Sequence, residues 1–83
     1  MMGVRLAREE DLPQLLSILS QLNPRAERCD PEKARSVLRE LLRSGQQFLL
    51  VYEIDGKVIG TAELVIKHNL THGCKPYGFI ENV

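Results

Sequence analysis

Two apolar runs separated by Asp55-Gly56 constrain the fold of this chain more than any other feature. The runs 48–54 and 57–66 are rich in β-branched, aromatic and aliphatic residues. An Asp-Gly pair between such runs is typical of a two-residue hairpin, because a type I′ turn needs positive φ at both central residues. The sequence therefore predicts two antiparallel strands joined at this dipeptide.

A two-residue turn also fixes the register of the strands that it joins. We expect the pairs Ile54–Lys57, Tyr52–Ile59, Leu50–Thr61 and Phe48–Glu63. One side of the ribbon then carries Leu49, Val51, Val58, Gly60, Ala62, Leu64 and Ile66. The opposite side is more than half apolar as well, with Phe48, Leu50, Tyr52, Ile54, Ile59 and Val65. Two apolar sides require a covering layer on each face of the sheet.

The chain before the hairpin predicts a short strand and a helix. Residues 3–7 alternate apolar and polar, which favours a strand with Val4 and Leu6 facing the core. The acidic stretch 8–11 suits the positive end of a helix dipole. Leucines then recur at helical spacing, and we expect the helix to stop before Asn23-Pro24.

A second helix is predicted from Asp30-Pro31, with Asp30 as the N-cap and Pro31 as the first helical residue. Its apolar stripe consists of Ala34, Val37, Leu38, Leu41 and Leu42. Gly45 follows as the expected left-handed cap.

Residues 67–76 predict a loop, because they are polar and punctuated by glycine and proline. Residues 77–83 resume a strand pattern, and the sequence ends within it. The expected fold is one α+β domain, 1–83, of order β-α-α-β-β-β, with a mainly antiparallel sheet and two helices on one face.

Charge and cysteine content exclude several classes of protein. Lys plus Arg equals Asp plus Glu at 11 each, and no basic stripe is interleaved with aromatic residues, so we expect no nucleic-acid partner. No signal peptide or apolar run of membrane-spanning length is present, so no membrane association is expected. Two cysteines do not form a disulfide framework, and unpaired thiols favour a cytoplasmic protein.

Three segments carry a resemblance to a known family. The opening Val4-Arg-Leu-Ala-Arg-Glu-Glu-Asp-Leu-Pro13, the hairpin 50–62 and the ending 69–83 follow one another in the family order. Together they resemble the N-terminal half of the GCN5-related N-acetyltransferase (GNAT) superfamily. The resemblance implies transfer of an acetyl group to an amine, with acetyl-CoA as the co-substrate.

The chain departs from the family pattern beyond its fourth strand. Family members continue there into a glycine-rich loop and a helix that hold the pyrophosphate of acetyl-CoA. The six glycines of this chain do not have that spacing, and the sequence ends before such a loop. We therefore expect an N-terminal half without the acetyl-CoA-binding half, which is not active by itself.

The resemblance also implies site residues. Glu81 matches a strand position at which some members keep a glutamate that removes the substrate proton through water. Asn82 and Val83 would lie beside the thioester of acetyl-CoA. The acceptor side would be formed by Asn69, Thr71, His72 and Tyr77.

Structural interpretations of the same residues remain open. Glu81 is also typical of an exposed polar position on an edge strand. Asn69 and Thr71 are typical of turns, in which their side chains bond the local backbone. The spacing of His68, His72 and Cys74 matches no zinc pattern, so we expect no metal site.

A half-fold with an uncovered apolar face also predicts association. Exposed faces and open strand edges favour pairing with a second copy. We therefore expect a homodimer or higher oligomer through the sheet face or an edge. The alternative function is accordingly a non-catalytic dimerisation or interaction module derived from a GNAT half-fold.

Overall fold

The strands pair in chain order, β1-β2-β3-β4, to form one antiparallel sheet in a computed structural model that describes residues 2–25 and 28–83. The elements are β1 (Met2–Leu6), a 3₁₀ turn (Glu9–Asp11), α1 (Leu12–Leu22), α2 (Pro31–Arg43), β2 (Gln47–Ile54), β3 (Lys57–Lys67), a short turn (His72–Cys74) and β4 (Tyr77–Glu81). The predicted α+β order β-α-α-β-β-β is confirmed.

Both helices pack on one face of the sheet, and the core lies between them and the first three strands. Its buried members are Ala7, Leu12, Leu15, Leu38, Leu49, Val51 and Val58. The helices therefore bury the side of the hairpin that carries Leu49, Val51 and Val58. β4 lies beyond the helices, and all five of its residues are exposed.

The predicted helix boundaries are mostly confirmed. Asn23 ends α1 with its backbone N–H bonded to the carbonyl of Leu19. The Asp30 side chain accepts a 3.3 Å bond from the backbone N–H of Lys33, and Pro31 is the first residue of α2. The predicted left-handed cap at Gly45 is wrong: Ser44 caps α2 in an extended conformation, and Gly45 has no positive φ.

The hairpin turn is confirmed, but the predicted register fails three residues from it. Asp55 and Gly56 have φ of 49° and 80°, and Ile54 pairs with Lys57. A bulge then places Ile59 as an extra residue on β3, so Tyr52 pairs with Gly60 rather than Ile59. The expected pairs Leu50–Thr61 and Phe48–Glu63 are replaced by Leu50–Ala62 and Phe48–Leu64.

The bulge reverses the sides of β3 after Ile59, because side chains alternate along a strand. Gly60, Ala62, Leu64 and Ile66 were expected on the same side as Leu49, Val51 and Val58, and they lie on the opposite one. Val65 moves to the helix side, together with Thr61 and Glu63. The side away from the helices, which we call the open face, consists of Met2, Val4, Leu6, Phe48, Leu50, Tyr52, Ile54, Lys57, Gly60, Ala62, Leu64, Ile66, Gly78 and Ile80.

The expected inward orientation of Val4 and Leu6 is wrong. Both lie on the open face and stay exposed, while Arg5 points to the helix side. Arg5 is tolerated there because its guanidinium forms a two-bond ion pair with Asp11, at 2.7 and 2.8 Å, and a 3.0 Å bond with Glu53. Alternating apolar and polar residues predict a strand, but they do not tell which of its two sides is buried.

This ion cluster also changes the acidity of its carboxyl groups. The side-chain bonds from Arg5 are the main reason that the pKa of Asp11 is lowered, and a 2.7 Å bond from the backbone N–H of Arg8 acts in the same direction. The Arg5 guanidinium likewise lowers the pKa of Glu53, and the pKa of Arg5 is raised by both carboxylates. The cluster fixes β1 to the start of α1 and to β2.

Neither α1 nor α2, nor any other helix within residues 2–25 and 28–83, is long and apolar enough to cross a membrane. Cys29 and Cys74 are both unpaired and exposed.

Candidate active site on the third and fourth strands

The candidate site begins on β4, whose pairing with β3 decides which side each residue occupies. β4 pairs antiparallel with residues 63–67 of β3. Tyr77, Phe79 and Glu81 therefore lie on the helix side of the sheet, whereas Gly78 and Ile80 lie on the open face. Glu81 is thus on the same side as the two helices and is exposed.

Glu81 lies directly opposite Glu63 in the register of β3 and β4. Two carboxylates at facing positions of an antiparallel pair repel each other, which is unfavourable for the sheet alone. The pairing therefore places two acidic residues at facing positions at the end of β4.

Asn82 and Val83 follow Glu81 beyond the end of the sheet. Asn82 has a φ of 52°, which bends the chain out of the strand direction, and Val83 is exposed. Both residues lie next to Glu81, so the predicted catalytic and cofactor-side positions are at one end of β4.

The predicted acceptor-side residues are at the opposite end of β4. The Asn69 side-chain oxygen accepts bonds from the backbone N–H and the hydroxyl of Thr71, at 3.0 and 2.8 Å. This is the local turn bonding that the structural interpretation of these two residues expects. Both residues can still present their remaining polar atoms to a ligand.

His72 lies in a turn of unusual backbone geometry. His72, Gly73 and Cys74 all have positive φ, at 51°, 70° and 61°. Residues other than glycine enter this region at an energetic cost, and such strain is more frequent at functional sites than elsewhere. The turn exposes the His72 side chain at the rim of the loop.

Tyr77 connects this loop with the start of β4. Its ring lies 6.5 Å from the ring of Phe79, centroid to centroid. The Lys67 ammonium lies 6.0 Å from the centre of the Tyr77 ring. The helix side of β4 is thus an aromatic strip that leads from the loop toward Glu81.

The predicted site residues form two groups rather than one. Four residue steps separate Tyr77 from Glu81, which is roughly 13 Å along a strand. Glu81, Asn82 and Val83 belong to one group, and Asn69, Thr71, His72 and Tyr77 to the other. A ligand that contacts both Tyr77 and Glu81 must therefore extend along β4.

The sequence analysis did not predict that Glu63 and Thr61 belong to the candidate site. The predicted register placed Glu63 opposite Phe48, away from Glu81, and only the bulge at Ile59 changes this. The hydroxyl of Thr61 lies on the same side of β3, is buried and bonds to no group among the described residues. No sequence signal marks the bulge, so neither residue was predictable.

Within residues 2–25 and 28–83, no three His, Cys, Asp or Glu side chains come together as a metal site. Glu63 and Glu81 occupy facing positions of β3 and β4, and an ionised carboxylate accepts hydrogen bonds.

The fold matches solved structures of acetyltransferases. One of these, designated an acetyltransferase, is from Agrobacterium tumefaciens: it is 36% identical, covers 96% of this chain and 56% of its own, and has a TM-score of 0.87. A GNAT family acetyltransferase from Staphylococcus aureus matches 98% of this chain and 59% of its own, at 19% identity and a TM-score of 0.80. A Clostridium acetobutylicum acetyltransferase with acetyl-CoA matches 99% and 58%, at 20% identity and 0.66.

These matches define the class of protein as an acetyltransferase fold. More narrowly, the chain is the N-terminal half of a GNAT superfamily fold, because nearly all of it aligns with members of that class. It spans about 55 to 60% of the length of these three relatives. No protein-family model matches the chain, and no curated protein is significantly similar to it.

Proposed function

We propose that the chain is the acceptor-side half of an N-acetyltransferase, which transfers the acetyl group of acetyl-CoA to an amine. The observation that carries this proposal is the 36% identity to the Agrobacterium acetyltransferase over 96% of this chain. The acetyl-CoA in the Clostridium structure supports the choice of co-substrate for the fold.

The reaction forms a bond between the amine nitrogen and the acetyl carbon, breaks the carbon–sulfur bond of the thioester and releases CoA as a thiol. The amine must lose a proton before or during the attack. Glu81 is proposed to take that proton through a water molecule, and Glu63 opposite it adds to the attraction for a cationic amine. The backbone at Asn82 and Val83 is proposed to lie beside the thioester.

The loop group is proposed to contact the distal part of the acceptor. Tyr77, the member of this group on β4, lies roughly 13 Å along the strand from Glu81, which favours an extended amine whose far end carries polar or aromatic groups. The Phe79 ring, next to that of Tyr77, is proposed to provide an apolar path from the loop group toward Glu81.

The 83 residues by themselves are proposed to lack turnover, because none of their glycines has the spacing of a pyrophosphate loop. The complementary half is proposed to come from further polypeptide. A cytoplasmic location is proposed as well, because Cys29 and Cys74 are unpaired and exposed, which a reducing compartment preserves.

A chimera tests the proposed role directly. Residues 2–83 replace the aligned part of the Agrobacterium relative, and release of CoA thiol is measured with a panel of short and extended primary amines. We expect the chimera to bind acetyl-CoA and to acetylate extended amines. The isolated chain, titrated with acetyl-CoA by calorimetry, is expected to give no binding heat.

The role of Glu81 is tested in the same chimera by Glu81→Gln, with Glu40→Gln on the exposed surface of α2 as the matched control. We expect Glu81→Gln to lower kcat about 100-fold or more with an unchanged KM for acetyl-CoA. Glu63→Gln should raise the KM for the amine with a smaller effect on kcat. A folded chimera that binds acetyl-CoA but acetylates none of the amines would contradict the proposal.

A non-catalytic association module is the second candidate, and the exposed apolar side chains of Val4, Leu6 and Ile80 favour it. This candidate predicts that the chimera shows no acetyl transfer, whereas the chain still associates with a partner.

A further inference from the structure

Three cross-strand pairs of β3 and β4 follow one another on the helix side of the sheet. We call them the β3–β4 strip, and they are Glu63–Glu81, Val65–Phe79 and Lys67–Tyr77. Side-chain contacts agree with this common side, because the Tyr77 ring lies 6.5 Å from the Phe79 ring and 6.0 Å from the Lys67 ammonium. All five residues of β4 are exposed, so its helix-side residues are accessible in the described part of the chain.

The strip carries opposite charges at its two ends. Both residues of the first pair are acidic, the middle pair is apolar, and the last pair holds a lysine ammonium above an aromatic ring. Four residue steps separate Glu63 from Lys67, which is roughly 13 Å along the strand. The order of these charges follows from the pairing of β3 with β4, so it does not depend on what covers the open face.

None of these charges has an ionic partner among the described residues. Glu63, Glu81 and Lys67 form no ion pair there, and the loop adds a second unpaired ammonium at Lys75. Residues 64–80 contain no aspartate or glutamate, so the loop end of the strip has no acidic residue of its own. Two carboxylates at facing positions are unfavourable for the sheet alone. This separation of unpaired charges suits a ligand with opposite charges at its two ends.

We propose that the acceptor is an extended amine with an anionic group, a carboxylate or a phosphate, at its far end. Its amine lies at the Glu63–Glu81 pair, where the proposed proton transfer takes place. Its apolar middle runs past Phe79, and its anion accepts charge-assisted hydrogen bonds from the ammonium of Lys67. This inference rests on the proposed function and adds the class of substrate.

Lys67 should act on binding rather than on the chemical step. The anionic group keeps its charge throughout acetyl transfer, so its contact with Lys67 is equally strong in the bound substrate and in the transition state. Such a contact lowers KM for the acceptor and leaves kcat unaffected.

Acetylation by the chimera that contains residues 2–83 tests the substrate class. Amines of equal chain length are compared: ω-aminooctanoate, aminooctyl phosphate, octylamine and diaminooctane. We expect kcat/KM to be about tenfold higher for ω-aminooctanoate than for octylamine, through KM, which is the effect of one charge-assisted hydrogen bond. Diaminooctane should be the poorest acceptor, and aminooctyl phosphate shows which of the two anions is preferred.

Variants of Lys67 test the cationic end of the strip. Lys67→Met removes the ammonium but keeps an apolar stem, so the ratio of kcat/KM for ω-aminooctanoate to that for octylamine should fall to about one. Lys67→Glu should reverse the preference in favour of diaminooctane. The matched control is Lys33→Met, at an exposed position of α2, and it should retain the tenfold ratio.

The outcomes separate this inference from the proposed function. Equal kcat/KM values for ω-aminooctanoate and octylamine would overturn the inference and leave acetyl transfer standing, whereas a chimera that acetylates no amine contradicts the proposed function. In that case binding decides: backbone amide shifts of the 83-residue chain, titrated with ω-aminooctanoate, should change at both Lys67 and Glu81. A titration in which the Lys67 end does not respond would refute the strip as the binding site.

Discussion

The side-chain oxygen of Gln14 on α1 accepts a 2.7 Å hydrogen bond from the backbone N–H of Val58 on β3. Val58 is the residue before the bulge. β4 pairs with β3 at positions 63–67, so among the described residues no strand lies next to Val58 on that side of β3. The helix thereby satisfies a buried donor at the point where the sheet becomes irregular.

Replacing Gln14 by Leu should destabilise the fold by about 1 to 3 kcal/mol, because a buried N–H then loses its acceptor. Gln21→Leu, at an exposed position of the same helix, is the matched control and should change stability by less than about 0.5 kcal/mol. Urea unfolding at equal protein concentration measures both. Amide exchange at Val58 should accelerate only in the first variant; unchanged exchange there would contradict the bond.

Acid should weaken the contact of Asp11 with Arg5. Since folding lowers the pKa of Asp11 below its ordinary value of 3.8, its contribution is fully present above that pH and is lost as pH falls through the folded pKa. Asp11→Asn should therefore be less stable at pH 6 and should lose less stability than the wild type between about pH 4 and pH 2. Thermal unfolding across this range measures the slope.

Glu10→Gln is the control for that experiment, because Glu10 forms only an exposed 3.3 Å contact with Arg8. Its stability should follow the wild type at every pH. A parallel slope for Asp11→Asn and the wild type would rule out Asp11 as the titrating group.

Two glycines provide a matched test of backbone geometry. A Cβ added at Gly56 or Gly45 meets no atom within 4 Å, but only Gly56 has a left-handed φ. Gly56→Ala should therefore cost about 1 to 2 kcal/mol, whereas Gly45→Ala should be neutral or stabilise by up to about 1 kcal/mol. Equal effects of the two changes in urea unfolding would contradict the difference in φ.

The start of α2 depends on the side chain of Asp30. Asp30→Ala should cost about 1 kcal/mol, because the Lys33 N–H loses its acceptor and the helix N-terminus loses a negative charge. Asp30→Asn retains a capping oxygen and should cost much less. Helical circular dichroism during thermal unfolding compares the two, and a similar loss for both would show that the cap bond is not the cause.

The sequence predicted those parts of the fold that depend on local chemistry. Asp55-Gly56 specifies its turn, Asp30-Pro31 starts α2, and Asn23 ends α1. The register beyond Tyr52 failed because a bulge has no sequence signature of its own. Val4 and Leu6 were assigned to the wrong side because Arg5 finds its partners on two separate elements, which alternation cannot reveal.

The family resemblance predicted which residues form the candidate site, and the structure shows how these residues are arranged. Glu81 and Tyr77 were named from the sequence, and their common side of the sheet follows from the pairing of β3 with β4. The separation of the loop group from Glu81 was not predicted, because it depends on the length of β4. The position of Glu63 opposite Glu81 required a long-range pairing that the sequence alone does not encode.

The bulge at Ile59 has a consequence for how this sequence can vary. Deleting Ile59 would turn Thr61, Glu63 and Val65 toward the side without helices and return Gly60, Ala62, Leu64 and Ile66 to the side with them. Glu63 would then no longer lie on the same side as Glu81, and its charge would lie on the open face. Homologous chains should therefore tolerate many substitutions between Val58 and Glu63 but no change in the number of residues.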